Sequence, residues 1–311
     1  MAANCLKMDS KAYHIPVLLP ECIDGLKIKA DGIYVDVTYG GGGHSKAIAS
    51  LLTTGKVIAF DRDADAIKNS KTNNNNLIVI HSSFSNITTE LNGIGITAVD
   101  GVLADLGVSS HQFDEPQRGF AFRFDSKLDM RMDVRQHITA ATVLNTYSAK
   151  ELQQIFSLYG EVRNAATVAR EIVNARQHAT IATTADLKKC VSHLVPKNDE
   201  NGFYARLFQA LRIEVNQELK ELEMLLQQLP GLIKADGRLC VMSYHSLEDR
   251  LVKNFIASGN VQGVVKQDVF GNITSKTFSA INKKPIEANE IEKANNPRSR
   301  SARLRVAERI K

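Results

Sequence analysis

Residues 32–45 read GIYVDVTYGGGGHS, a short β-branched and apolar run that ends in four glycines. The residues after it, 44–52, carry apolar positions at helical spacing until Gly55 stops them. Strand, glycine loop and helix in that order open a doubly wound α/β sheet. Working outward, KVIAFD at 56–61 is a second apolar run closing on Asp61, followed by helical material from Asp63 and a polar NNNN turn at 73–76. LIVIH at 77–81 and GVLAD at 101–105 supply a third and a fourth strand. Runs this apolar, separated by helices, predict parallel strands covered on both faces.

The alternation then breaks. From about residue 113 to 200 there are helix-like stretches and polar turns without a buried strand, and from 205 to 229 helical periodicity returns through Leu207, Leu211, Val215, Leu222, Leu226 and Leu229, ending at Pro230 and Gly231. GRLCVMS at 237–243 reads as the next sheet strand. The expected organisation is a Rossmann-like sheet domain from residues 1–112 and 211–311, interrupted by an α-helical insertion at 113–210 expected to recognise substrate. No internal repeat is present.

Composition sets the class. The chain has 311 residues, 43% of them hydrophobic and 23% charged, as in ordinary globular proteins. The first 21 residues lack an uninterrupted apolar stretch of signal-peptide length, and no later stretch approaches the roughly 18 apolar residues of a membrane span. A cytoplasmic protein without a membrane role is expected. Cys5, Cys22, Cys190 and Cys240 lie far apart with no Cys-x-x-Cys pair, and the eight histidines show no metal-ligand spacing, so neither disulfides nor a metal is expected. The net charge is +5, and residues 294–311 carry Arg298, Arg300, Arg303, Arg305, Arg309 and Lys311 against Glu308 alone. Such a run is the footprint expected for phosphate contact, or else a solvated basic tail.

The chemistry gathers at strand ends. Glycines at 40–43 let backbone approach a ligand at the carboxyl end of the first strand, and Asp61 stands about 20 residues on, where a carboxylate accepts from ribose hydroxyls. An adenosine-bearing cofactor is implied. The spacing Gly40-x-Gly42-x-x-Ser45 lacks the third small residue of a dinucleotide fingerprint, and Asp36 sits where a ligand amine could be paired, which favours S-adenosylmethionine over NAD. Asp105, ending the fourth strand, lies on the same rim. A carboxylate there could hold the hydrogens of an aromatic amine or take its proton. His245, where the fifth strand meets a helix, is a second candidate proton acceptor, unless the segment only caps that helix. Residues 118–131 interleave Phe120, Phe122 and Phe124 with Arg118, Arg123 and Arg131, a composition that can stack bases and contact phosphates or simply anchor a loop.

Seven blocks stand in order: HIPVLLPE (14–21), YGGGGHS (39–45), GVLADLGVSSHQFDEPQRGF (101–120), FDSKLDMRMD (124–133), FQALRIEVNQEL (208–219), SYHSLEDRLVK (243–253) and NPRSRSARLR (296–305). Together they resemble the MraW-type family, ribosomal RNA small-subunit methyltransferase H, over nearly the whole chain. The resemblance implies methyl transfer from S-adenosylmethionine to the N4 amine of one cytidine in the decoding region of 16S ribosomal RNA, within the small subunit. It implies cofactor contacts at Gly42, Gly43, His44, Asp61, Phe84, Asp105 and Gln112, with Asp105 a cofactor contact first. RNA contacts are expected at Arg118, Arg123, Arg131, Arg298, Arg300 and Arg303, and a homodimer is one option. Departures are few: Asn201–Arg206 replaces a His-Pro-containing run, Tyr244 stands where phenylalanine is usual, and His111 replaces a common proline. The residues alone also admit a nicotinamide-dependent oxidoreductase, or a non-catalytic RNA-binding module that has kept the fold.

Overall fold

The computed structural model describes residues 16–68, 70, 74–268, 270 and 275–310. The leader reading, Cys5, the first two residues of HIPVLLPE, Asn73 and Lys311 lie outside them. The chain forms two compact units. The sheet unit takes the residues up to Asp61, then Asp65–Gly107, and those from Leu226 onward; the inserted unit takes Arg62–Ala64 and Val108–Leu225.

The sheet has seven strands in the order β3-β2-β1-β4-β5-β7-β6. These are β1 (Ile33–Asp36), β2 (Lys56–Asp61), β3 (Leu77–His81), β4 (Val99–Asp105), β5 (Ile233–Ser243), β6 (Phe278–Ala280) and β7 (Arg303–Arg309). The first five pair in parallel, as their two-sided apolar character requires. β1 lies between β2 and β4, so the winding reverses beside it, and Asp36 and Asp105 end the two strands that flank the reversal. An open α/β sheet binds its ligand there. Helix Leu19–Leu26 packs on β4 and β5, and helix Gly43–Ser50 on β1 and β2. Leu18, Cys22, Ile48, Leu103, Cys240 and Leu304 belong to the buried core of this unit.

β7 was not legible as a strand. It runs antiparallel between β5 and β6, its Leu304 and Val306 buried and Arg303 exposed. The basic segment is therefore neither a solvated tail nor a loose arm: Arg298 and Arg300 lie in the helical turn Pro297–Ser301, Arg303, Arg305 and Arg309 sit on a paired strand, and Arg305 is tied to Asp249 by contacts of 2.6 and 3.0 Å.

The inserted unit is helical, with its largest elements at Ala149–Leu158, Ala165–Arg176 and Glu200–Asn216, around a core that includes Leu144, Phe156, Val168, Ile172, Leu207 and Leu211. Three of its described helices begin with reciprocal caps, Ser109 with Gln112, Ser148 with Glu151 and Thr183 with Asp186, each satisfying donors that a helix start leaves open. The periodic stretch 205–229 is two helices rather than one, because Gln217 adopts φ 50°. Asn216 explains the break: its amide accepts from Met132 N at 2.7 Å and donates to Met130 O at 2.7 Å. The chain re-enters the sheet unit at Leu226, inside helix Glu218–Leu232, later than the composition suggests, because helix Glu200–Asn216 presents Leu207, Leu211 and Val215 to the inserted core. No helix among the described residues is long and apolar enough to cross a membrane.

Candidate active site

The glycine loop is held open by its own backbone. Gly40 and Gly42 take φ 52° and 75°, and a Cβ at Gly42 would stand 2.6 Å from the Tyr39 ring, so only glycine serves there. Gly42 then starts helix Gly43–Ser50. Asp61 fastens the loop, accepting from Gly40 N at 2.8 Å. Asp36 is buried and receives Thr38 N at 3.0 Å, Thr38 Oγ1 at 3.2 Å and Ser45 Oγ at 2.5 Å, so internal donors meet its charge and it anchors the loop. Thr38 Oγ1 also accepts from Asp105 N at 2.7 Å, joining the ends of β1 and β4.

Asp105 is the centre of the rim. Its Oδ1 accepts from the Tyr244 hydroxyl at 2.7 Å, and its Oδ2 lies 3.8 Å from His44 Nδ1. His44 Nε2 meets the Val17 carbonyl at 3.0 Å. A carbonyl only accepts, so Nε2 bears a hydrogen and the ring is turned with Nδ1 toward Asp105. Burial pushes the Asp105 carboxyl up to about 6, against the opposing pull of His44 and the Tyr244 hydrogen bond. Its side chain is still 24% exposed, so the carboxylate reaches solvent at the strand end.

Of the sequence-derived contacts, Gly42, Gly43, His44, Asp61 and Asp105 fall on the switch point of the sheet unit. Phe84 follows β3 in a short turn capped by Ser83, half-buried. Gln112 belongs to the inserted unit, where it forms a reciprocal cap with Ser109 and donates to Asp63 Oδ2 at 2.7 Å. The Tyr39 hydroxyl, buried against Gly42, has no partner among the described residues. A glycine loop, a carboxylate at the end of β2 and an orphaned phenol thus stand at the strand ends where an open α/β sheet binds its ligand.

The structure gives three of the expected residues partners within the fold. His245 is the N-cap of helix Ser246–Ser258: Nδ1 accepts from Glu248 N at 3.5 Å and Nε2 faces Glu248 Oε1 at 3.2 Å, too poorly aligned for a hydrogen bond. Nδ1 thus serves the helix start, and Nε2 is buried without a hydrogen bond among the described residues. Arg118 is buried, its guanidinium on Asp63 Oδ2 at 2.8 Å and the Arg131 carbonyl at 2.9 Å, so it holds its own loop. Arg131 is saturated by Asp129 at 2.8 Å and by the carbonyls of Val134 and Gln136. Phe120 joins the inserted core, and Phe122 packs on Tyr204 and Phe208. Arg123 stays 52% exposed, stacked on Phe124 and paired with Asp114. Arg300 is exposed and Arg303 46% exposed, while Arg298 is half-buried.

Sequence reasoning missed Thr38, Ser45 and the Tyr244 hydroxyl, whose partners are set by strand crossings, and Asp63, two residues beyond Asp61, which gathers Gln112 and Arg118.

The profile of the MraW methylase family matches residues 11–310. "Ribosomal RNA small subunit methyltransferase H" of Cytophaga hutchinsonii is 50% identical over 298 residues, covering 96% of this chain and 99% of that protein. The protein of the same name from Flavobacterium johnsoniae is 49% identical, covering 96% and 98%. A crystal structure of an rRNA methylase from Streptococcus thermophilus aligns over 96% of this chain and 99% of its own at 12% identity and a TM-score of 0.42, a likeness on which nothing here rests. With a match across nearly its whole length and relatives at half identity, the chain belongs to the MraW methylase family.

Proposed function

We propose that the chain transfers a methyl group from S-adenosylmethionine to the N4 amine of a cytidine in the decoding region of 16S ribosomal RNA, acting on the small subunit in the cytoplasm. The observation that carries this reading is the rim at the β1–β4 switch point, where an open glycine loop lies between Asp61 and Asp105. The names of the relatives, which specify small-subunit ribosomal RNA, support the substrate class.

The residues suit the cofactor. Asp61 would take the ribose hydroxyls, the glycine loop at Gly42 and Gly43 the methionine moiety, and Phe84 the adenine face, with His44 completing the contacts. Bound there, S-adenosylmethionine supplies an electrophilic methyl on a sulfonium. The protein's own task is alignment, exclusion of water and management of one proton. The lone pair of a cytosine amine is delocalised into the ring, and an ionised Asp105 accepting an amine hydrogen would help to localise it. Arg123, Arg298, Arg300 and Arg303 would meet the RNA backbone.

The test is methyl transfer from labelled S-adenosylmethionine to small subunits lacking the modification, followed by digestion and identification of the nucleoside. N4-methylcytidine is expected; 5-methylcytidine, a methylated adenosine or no transfer overturns the reading.

A further inference from the structure

We infer that Tyr244 is a positioning residue of this site, its hydroxyl fixing the Asp105 carboxylate in one orientation at the end of β4. The inference rests on the role given to Asp105 above. The geometry is a short hydrogen bond, 2.7 Å from the phenol oxygen to Asp105 Oδ1, between the last residue of one strand and the residue just past its neighbour. It divides the carboxylate: Oδ1 is committed to the phenol and Oδ2 is turned to His44.

Tyr244 is itself well held. Its backbone N donates to Glu248 Oε2 at 2.9 Å. Its ring edge comes within 3.5 Å of where a Cβ on Gly107 would stand, so the ring covers the glycine that follows β4. Leu106 N donates to Met242 O at 2.9 Å and locks the two strand ends together beneath it. These contacts fix the Tyr244 backbone at the start of helix Ser246–Ser258.

The bond also acts on charge. Burial and the neighbouring Asp105 hold the Tyr244 hydroxyl well above its ordinary range, so it remains a neutral donor at any working pH. A donor to the charged form favours that form, so the phenol works against the desolvation that drives Asp105 toward protonation. The titratable groups facing the pair are His44 from helix Gly43–Ser50, Asp36 from β1, Glu248 from helix Ser246–Ser258 and Cys22 from helix Leu19–Leu26. Asp36 and Glu248 oppose ionisation of Asp105, and His44 supports it. Tyr244 is the group whose removal alters this balance without changing any formal charge.

The experiment is Tyr244→Phe, which keeps the ring and deletes the donor. Methyl transfer should fall even in alkaline solution, because the carboxylate loses its fixed orientation, and the acid limb of its pH profile should move upward by about one unit, the size expected for one hydrogen bond to a charged group. The carbon-13 signal of the Asp105 carboxyl, titrated by NMR in the same variant, should move the same way. A rate in alkaline solution equal to wild type, or an acid limb and a carboxyl titration both unchanged, overturns the inference. The carboxyl titration needs no turnover, so if the wild-type chain transfers no methyl the functional reading fails while the Tyr244–Asp105 link is still decided.

Discussion

Asp61 carries two tasks at once, which makes it the sharpest residue-scale test. Its Oδ2 fastens Gly40 N, so it shapes the loop, and the same carboxylate is the proposed acceptor for the ribose hydroxyls. Asp61→Ala should weaken S-adenosylmethionine binding by about 2 to 3 kcal/mol, the range for hydrogen bonds to a charged group, as read by calorimetry on a variant shown to be folded. Normal binding by that variant would remove the ribose assignment. Asp61 was legible because spacing after a glycine loop is a linear property. Asp36 was legible as a position but not as a role: Ser45 and Thr38 close on it only once the loop turns back over β1. Tyr244 could not be read as a donor, since its partner lies 139 residues away.

Among the elements, β7 decides what the arginine run does. Arg305 and Asp249 are 11% and 13% exposed and meet in a two-point contact that joins β7 to the start of helix Ser246–Ser258. Removing Arg305 leaves the buried Asp249 with only its 3.9 Å contact to Arg303, so Arg305→Ala should lower unfolding free energy by about 3 kcal/mol in a denaturant titration. The salt dependence of RNA binding should not move. A variant of wild-type stability that bound RNA less steeply with salt would reverse this assignment. β1 to β4 could be read because strands buried on both faces are nearly continuous apolar runs. β7 hides its pattern: RLRVAER alternates apolar with arginine at strand period, and the arginines draw the reading toward charge instead of pairing. The break at Gln217 left no mark either, because no glycine or proline stands there and a tertiary contact of Asn216 imposes it.

For the whole molecule the issue is which positive charges are left for a polyanion. Formal charge counted Arg118, Arg131 and Arg305 as candidates, yet each is held by a carboxylate within the fold, and the net charge of +5 says nothing of this. Arg123, Arg298, Arg300 and Arg303 remain, and of these Arg123 and Arg300, one in each compact unit, are both exposed. Arg123 pairs with Asp114, but exposed pairs are worth little and a phosphate can displace the carboxylate. Replacing both with alanine should weaken binding to single-stranded RNA and flatten the slope of log affinity against log salt by about 1.4, since each lost phosphate contact removes about 0.7. Affinity for S-adenosylmethionine should not change, because neither side chain is among its proposed contacts. Each single variant should give about half the effect. If the double variant keeps the wild-type slope, these arginines are not on the RNA. Loss from only one single variant would confine the RNA contact to the unit that carries it.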